Sequence, residues 1–437
     1  MAHLLPNLIC HALLLASASA LAQNNTVLIT SPASQQVSGF ENLSLREAPF
    51  SASNIDNATL RDLGAQRISD ALRLDSSVTD SYNSPAYWDM LSVRGFMLDN
   101  RYNYRREGLP INAETMIAMD NKERIELFKG TSGIQAGTSA PGGLANYIVK
   151  RPPNSVEAKT RSLTLGFGNG NNSSIALDLG GRYGDNNAFG YRINAAYENL
   201  NPSIYNAKGH RQLLSLAMDW RINTNTRLEW EIESSSRQQM GVNAASITGN
   251  SLPSPIYGHS NFSKQSWSVP GVFDGLTGSV RLKHRLDNGW MWTTQLGAQR
   301  LKTDDRLSYA YGCYAENNYD RFCSDKTFDL YDYRSENERR LNDALQTELT
   351  GQVQLAGIQH DLSFTWLRQR QIDKLSPMQA YNWAGTGSLS GISDSAAAPE
   401  PYDLNTNRQE YATEISMKDR IRVHRFADLW LGLRSSQ

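Results

Sequence analysis

Glu229, Glu231 and Glu233 stand at every second position and alternate with Leu228, Trp230 and Ile232. Spacing of two is the side-chain repeat of a β-strand. One face is then a row of carboxylates and the other is apolar, which suits a wall between a polar lumen and lipid better than a packed core. Two cysteines, Cys313 and Cys323, flank nine residues in a polar, tyrosine-rich stretch. They lack Cys-x-x-Cys spacing, so they read as a loop staple and not as a redox pair. His210, His259, His284, His360 and His424 are scattered without metal-ligand spacing, and there is no Gly-x-Ser-x-Gly element. Neither a metal site nor an enzyme is expected.

These residues need a scaffold outside the cytoplasm. Leu4 to Ala22 is an apolar, small-residue stretch ending in Ala20-Leu21-Ala22, which reads as a secretory signal over residues 1–22. Its start lacks Lys and Arg, and the residues before Cys10 are not small enough for a lipoprotein site. An exported chain favours a disulfide between the two remaining cysteines. Beyond the signal no run approaches the roughly 18 apolar residues of a spanning helix. With 43 basic and 44 acidic residues in 437, the net charge of −1 gives no footprint for nucleic acid. Plentiful aromatics (19 Tyr, 12 Phe, 9 Trp) exclude a disordered chain.

From Leu163 onward the pattern alternates throughout. Eleven segments follow it, at 162–168, 173–182, 188–199, 211–222, 226–237, 275–286, 289–302, 342–355, 358–372, 409–420 and 425–433. Many reach about ten residues, the length of a tilted transmembrane strand. Their connections alternate between tight turns, such as Asp287-Asn288 and Ala356-Gly357, and long stretches at 200–210, 238–274, 303–341 and 373–408. Short turns on one side and long loops on the other are the pattern of an outer-membrane barrel, with the Cys313–Cys323 staple in an external loop. Residues 46–153 instead mix short apolar runs with glycine-rich turns, expected as a small α+β domain with a helix near Asp70–Leu74 and a strand near Arg124–Phe128. Residues 23–45 are polar and read as a linker.

Within 46–153 a series of motifs comes in order. Asp70-Ala71-Leu72 is followed by Ser92-Val93-Arg94-Gly95-Phe96, Glu107-Gly108-Leu109-Pro110, Asn121-Lys122-Glu123-Arg124-Ile125-Glu126-Leu127-Phe128-Lys129-Gly130 and Pro141-Gly142-Gly143-Leu144-Ala145-Asn146-Tyr147. The series resembles the plug domain of TonB-dependent outer-membrane receptors, in the ferric-siderophore branch. The glycines at 130–143 fit turns of that plug, and a phosphate loop is not supported because no Gly-Lys-Ser/Thr follows.

The resemblance implies a mainly β protein, with an N-terminal α+β plug (46–153) inside antiparallel strands of an outer-membrane β-barrel (154–437) in a Gram-negative bacterium. It implies a ferric siderophore as cargo, the TonB energy-coupling protein and outer-membrane lipid as partners, and no cofactor, since iron arrives as a chelate. The TonB box would be Thr26, Val27, Leu28, Ile29 and Thr30, an extended apolar run in a polar tether suited to adding as a strand to a partner's sheet. No signalling domain precedes it, so no direct role in transcriptional signalling is expected. Plug-apex ligand residues would be Tyr82, Tyr87, Trp88, Asn100, Arg101, Tyr102 and Met116, whose aromatics and Arg suit an anionic or aromatic chelate. External loops would add Tyr257, Trp267, Tyr309, Tyr311, Tyr314 and Tyr319. Arg94 and Lys129 would meet barrel carboxylates, with Glu229, Glu231 and Glu233 as candidates, or face lumen water.

The length is in tension with this reading. Residues 154–437 give eleven strands about 26 residues each, and a barrel of about 22 strands would need roughly 570. The expectation is a receptor truncated after about half the barrel. Its alternatives are a non-functional fragment or a transporter of another scarce large nutrient such as a cobalamin.

Overall fold

A computed structural model describes residues 50–437 except 83, 85, 131–136, 138, 169–170, 244, 255–258, 390–394, 397–402 and 425, together with the backbone of 36–37, 40–44 and 403. The signal segment and residues 26–30 lie outside the described residues. Within the expected linker, β1 (Gln36–Val37) and β2 (Phe40–Ser44) pair antiparallel.

The N-terminal unit is built from β3 (Ser51–Asp56), α1 (Asn57–Asp62), α2 (Ile68–Leu72), β4 (Val78–Asp80), β5 (Leu91–Val93), β6 (Phe96–Met97), β7 (Tyr104–Arg106), β8 (Leu109–Pro110), β9 (Lys122–Lys129) and β10 (Gly143–Val149). Five strands join in the order β3-β9-β10-β7-β8, and β4-β5-β6 form a second small sheet. Asp56 starts α1 by accepting the Thr59 amide at 2.8 Å on its carboxylate, a standard N-cap. A continuous core of Ile68, Leu72, Leu91, Leu98, Tyr104, Ile125, Leu127 and Tyr147 binds the two sheets and the helices. Gly143 has φ +157°, and a Cβ there would sit 2.1 Å from the Phe128 carbonyl oxygen, so only glycine lets β10 lie this close to β9.

The second unit runs through β11 (Thr160–Phe167), β12 (Ser173–Tyr183), β13 (Phe189–Leu200), β14 (Gly209–Arg221), β15 (Thr226–Gln239), β16 (Val269–Arg285), β17 (Met291–Ala310), β18 (Thr327–Leu355), β19 (Ile358–Lys374), β20 (Met378–Ser388), β21 (Asp403–Leu404), β22 (Arg408–His424) and β23 (Ala427–Ser436). Each pairs antiparallel with the next from β11 to β19, then β19 with β22 and β22 with β23. Outward positions are apolar and exposed, among them Leu163, Leu165, Leu214, Ile232, Leu296, Ile415 and Leu433. Inward positions are polar and buried, among them Asn194, Ser215, Glu229, Glu231, Glu233, Gln295 and Gln299. This is the inside-out division of a membrane barrel wall.

The outer ends of the strands depart from expectation. β18 has 29 residues and β17 has 20, so most of 303–341 is strand. β20 fills part of 373–408 and pairs with Thr327 to Arg334 of β18. The alternation is broken there for a physical reason. At the bulge between Thr303 and Asp305 of β17, Asn337 of the facing strand takes φ +59° and donates its amide to Asp304 at 2.6 Å. A bulge adds one residue and switches which side chains face inward, so a period-two reading loses phase.

Candidate functional site

The N-terminal unit lies against the inner face of the sheet through a belt of charges, and β15 carries its centre. Alternation aims Glu229, Glu231 and Glu233 at the same side, and each is buried. Arg106 at the end of β7 reaches Glu231 at 2.6 Å and Glu233 at 2.7 Å, with every partner almost fully enclosed. Lys122, wholly buried, adds a second bond to Glu233 at 2.8 Å, and the Asn121 side-chain amide donates a third at 2.7 Å. Arg281 on β16 bridges Glu107 of the plug at 3.0 Å and Glu229 at 2.5 Å, while Arg151 meets Glu107 at 3.2 Å. Further round, Arg211 of β14 holds Asp120 at 2.6 Å, Lys150 holds Asp178 of β12 at 3.0 Å, and Arg340 of β18 holds Glu114 at 2.5 Å. Contacts from β12 to β18 show that the sheet curls around the plug.

Electrostatics follow from this enclosure. Burial pushes the Glu107 carboxyl up, but Arg151, Arg281 and the Val149 amide outweigh it and hold the group at about 2. Burial disfavours the Arg106 cation, but Glu231 and Glu233 outweigh that and hold it charged. A buried ion that loses its partner is far costlier than an exposed one, so the belt fixes where the plug sits.

Neither Arg94 nor Lys129 meets the carboxylate row; Arg94 follows the alternative of a solvent-facing charge, and the expectation for Lys129 is corrected. Arg94 and Gly95 form the two-residue turn between β5 and β6 with φ +53° and +84°, which leaves the Arg94 side chain exposed. Lys129 pairs inside the plug with Asp75 at 2.5 Å. Burial raises the Asp75 carboxyl, but hydrogen bonds from Lys129, Ser53 and Ser77 hold it well below the ordinary range.

The expected apex residues divide into three places. Tyr82, Tyr87 and Trp88 form one aromatic group, with ring centroids 5.4 Å and 4.0 Å apart in sequence order. Phe273 of β16 sits edge-on to Tyr87 and Trp88, and the Arg340 guanidinium lies 5.5 Å from the Trp88 ring. Tyr309, Tyr331, Tyr333 and Tyr381 continue the aromatic lining on the wall, with Tyr331 and Tyr381 stacked at 5.0 Å. Arg101 and Tyr102 lie on another side. Arg101 pairs with Asp99 at 3.0 Å, and the Tyr102 hydroxyl donates to Glu410 at 2.9 Å. Burial, then Glu410, pushes the Tyr102 phenol up to about 12.

Asn100 and Met116 are corrections. Asn100 is 7% exposed and spends its amide on the Asp89 and Ala113 carbonyls, and Met116 is buried at 9%. Asn100 ties plug loops together, and Met116 faces Arg211, Ser235 and Arg237 of the wall across a small cavity.

Cys313 and Cys323 are disulfide-bonded, with Cα atoms 5.1 Å apart. The staple closes over a small apolar cluster of Phe262, Ala310, Phe322, Phe328, Leu330 and Leu389. Glu316 lies near the two sulfurs, but both are consumed by the bond. Trp267 packs under Arg306 and donates to the Ser395 carbonyl at 3.0 Å, Tyr314 and Tyr319 are exposed, and Tyr257 lies outside the described residues.

Sequence reasoning missed Arg106, Glu107, Glu114, Asp120, Lys122, Arg211, Arg281 and Arg340. Glu107 and Lys122 sat in motifs already recognised, and Arg281 stands directly opposite Glu229 in the β15–β16 register. The long connection between those two strands hid that register.

Comparison with known proteins agrees with this geometry. Residues 44–144 match the TonB-dependent Receptor Plug Domain family. The chain is 24% identical over 279 residues to the ferrichrome receptor FcuA of Yersinia enterocolitica, covering 63% of this chain and 36% of that protein. It is 23% identical over 356 residues to the ferrioxamine B receptor of Salmonella typhimurium, covering 78% and 48%. The solved pyoverdine outer-membrane receptor FpvA of Pseudomonas aeruginosa superposes with a TM-score of 0.75 at 18% identity, over 90% of this chain and 57% of that one. The chain thus spans between about a third and half the length of these curated relatives.

Proposed function

We propose that the chain is a TonB-dependent receptor of the Gram-negative outer membrane, which takes up a ferric siderophore at its outer face and is energised from the inner membrane. The observation that carries this is the plug seated on the inner face of the sheet by paired buried charges, below an aromatic chamber. A passive pore needs no such obstruction. Iron is cargo here and arrives already chelated. Residues 46–153 act as the plug and 154–437 as strands of the barrel wall.

The division of labour follows from the residues. Tyr82, Tyr87 and Trp88 offer flat apolar surfaces on which an organic chelate packs. Arg106, Lys122 and Arg281 hold the plug until it is pulled. Pulling is assigned to TonB, acting on Thr26, Val27, Leu28, Ile29 and Thr30 as an added strand. The curated relatives recognise ferrichrome and ferrioxamine B, so a ferric hydroxamate is the first cargo to try.

The experiment is uptake of radiolabelled ferric hydroxamate in cells lacking other receptors. Uptake that needs the proton gradient and vanishes on deletion of residues 26–30 supports the reading. Uptake that survives the deletion removes the box assignment, and no uptake of any ferric chelate removes the function.

A further inference from the structure

The outer chamber holds one buried carboxylate that nothing balances. Asp305 of β17 is 2% exposed, and its Oδ2 atom has no hydrogen-bond partner among the described residues. No Lys or Arg among them pairs with it. The nearby cations are all committed. Arg340 is shared by Glu114 at 2.5 Å and Glu338 at 2.9 Å, and Glu338 also accepts from Ser335 at 2.5 Å. Arg306, next in sequence, points to the other face of the strand and joins Arg334 on Asp332 at 3.3 Å and 2.8 Å. A buried carboxyl without a partner either holds a proton or pairs with a cation that arrives.

Around Asp305 stand aromatic rings and the Glu338 carboxylate, which is itself held by Arg340. Tyr82, Tyr87 and Tyr333 all lie within its electrostatic reach. Tyr381 packs 6.4 Å from Tyr333 and 5.9 Å from Tyr309. Burial first, then neighbouring phenols and Asp305, pushes the Tyr82 and Tyr87 phenols well above their ordinary value, so these rings stay neutral. Solvent reaches the group at Tyr82 and Tyr381, which are 36% and 44% exposed. Neutral rings around one carboxylate are the chemistry that recognises an organic cation. A calcium ion would need six to eight oxygen ligands, which one free carboxylate among rings does not supply.

We infer that this chamber takes an ammonium group carried by the ferric chelate, seated against Asp305 and enclosed by the rings of Tyr82, Tyr87, Tyr333 and Tyr381. The inference rests on the proposed function, because it names which chelates that chamber prefers.

The test is binding to the full chain in outer-membrane vesicles, followed by quenching of tryptophan fluorescence. Two probes share one ferric trihydroxamate core. One ends in a primary ammonium, and the other is the same molecule N-acetylated and neutral. The expected result is a preference of about tenfold for the ammonium form, abolished in Asp305→Asn and in Tyr381→Leu. Asp305→Asn keeps the side chain's size and polarity, so folding is retained, and the neutral probe checks this by binding as before. Equal binding of both probes, or a preference that survives Asp305→Asn, overturns the inference and leaves ferric-chelate uptake standing. Binding of neither probe, with no uptake of any chelate, overturns both.

Discussion

The belt below and the chamber above use the same residue types to opposite ends. In the belt, Arg106, Lys122 and Arg281 each meet carboxylates on facing elements at 3.0 Å or less. In the chamber, Asp305 is as buried as Glu231 and Glu233 but pairs with no Lys or Arg among the described residues. Satisfied buried charges make a fixed joint, because breaking one strands its partner. An unpaired carboxyl among rings is free to take a proton or an arriving cation, the second being the role inferred for Asp305. The contrast separates what must stay shut in the resting protein from what must answer to cargo.

The largest expected effect tests the belt. Arg106→Leu strands Glu231 and part of Glu233, and the plug should lose about 3–5 kcal/mol of docking stability. Protease sensitivity of residues 50–150 in vesicles reads this out, while chelate affinity stays unchanged. If affinity falls as far as stability, the two regions are not separate.

Acid should loosen the belt next. Glu107 is held at about 2 against an ordinary 4.5, so its contribution is complete above about 4.5 and is lost as pH falls through 2. The difference corresponds to about 3 kcal/mol. Asp75, also depressed, acts in the same direction. A pH titration of plug protection should therefore be flat at neutral pH and fall below about 4.5, and Glu107→Gln should flatten that fall.

A smaller, local effect belongs to the loops. Cys323→Ser frees a short closed loop worth about 2–3 kcal/mol. Hydrogen exchange should rise over 310–330 and stay unchanged at β7 and β9. The smallest is in the chamber wall, where Tyr381→Ala removes the stack on Tyr331 and should lower stability by about 0.5–1.5 kcal/mol. A thermal unfolding midpoint that drops as far as in Arg106→Leu would mean that the chamber also carries the joint.

The lower wall was legible because nothing interrupts its alternation. Leu228, Trp230 and Ile232 against Glu229, Glu231 and Glu233 fix both face and strand, and the β15 so drawn, 226–237, differs from the observed Thr226–Gln239 by two residues. The plug was legible from its ordered motifs. The outer wall was not, because Asn337 sits in a bulge and the Tyr331–Tyr381 stack joins residues fifty apart. Charge partners were harder still. β7 is three residues long and buried throughout, so no periodicity marks Arg106, whereas the visible Arg94 is turned outward by its hairpin. Residues 26–30, assigned as the TonB box, fall outside the described residues.

The most direct measurement is a double-mutant cycle across the joint, with Arg106→Leu, Glu231→Gln and both together, read as plug protection in vesicles. Residues paired at 2.6 Å and buried on both sides should show a coupling of about 1–3 kcal/mol, with the double variant less damaged than the sum of the single ones. Additive losses, with coupling below about 0.5 kcal/mol, would contradict the claim that these paired charges hold the plug in place.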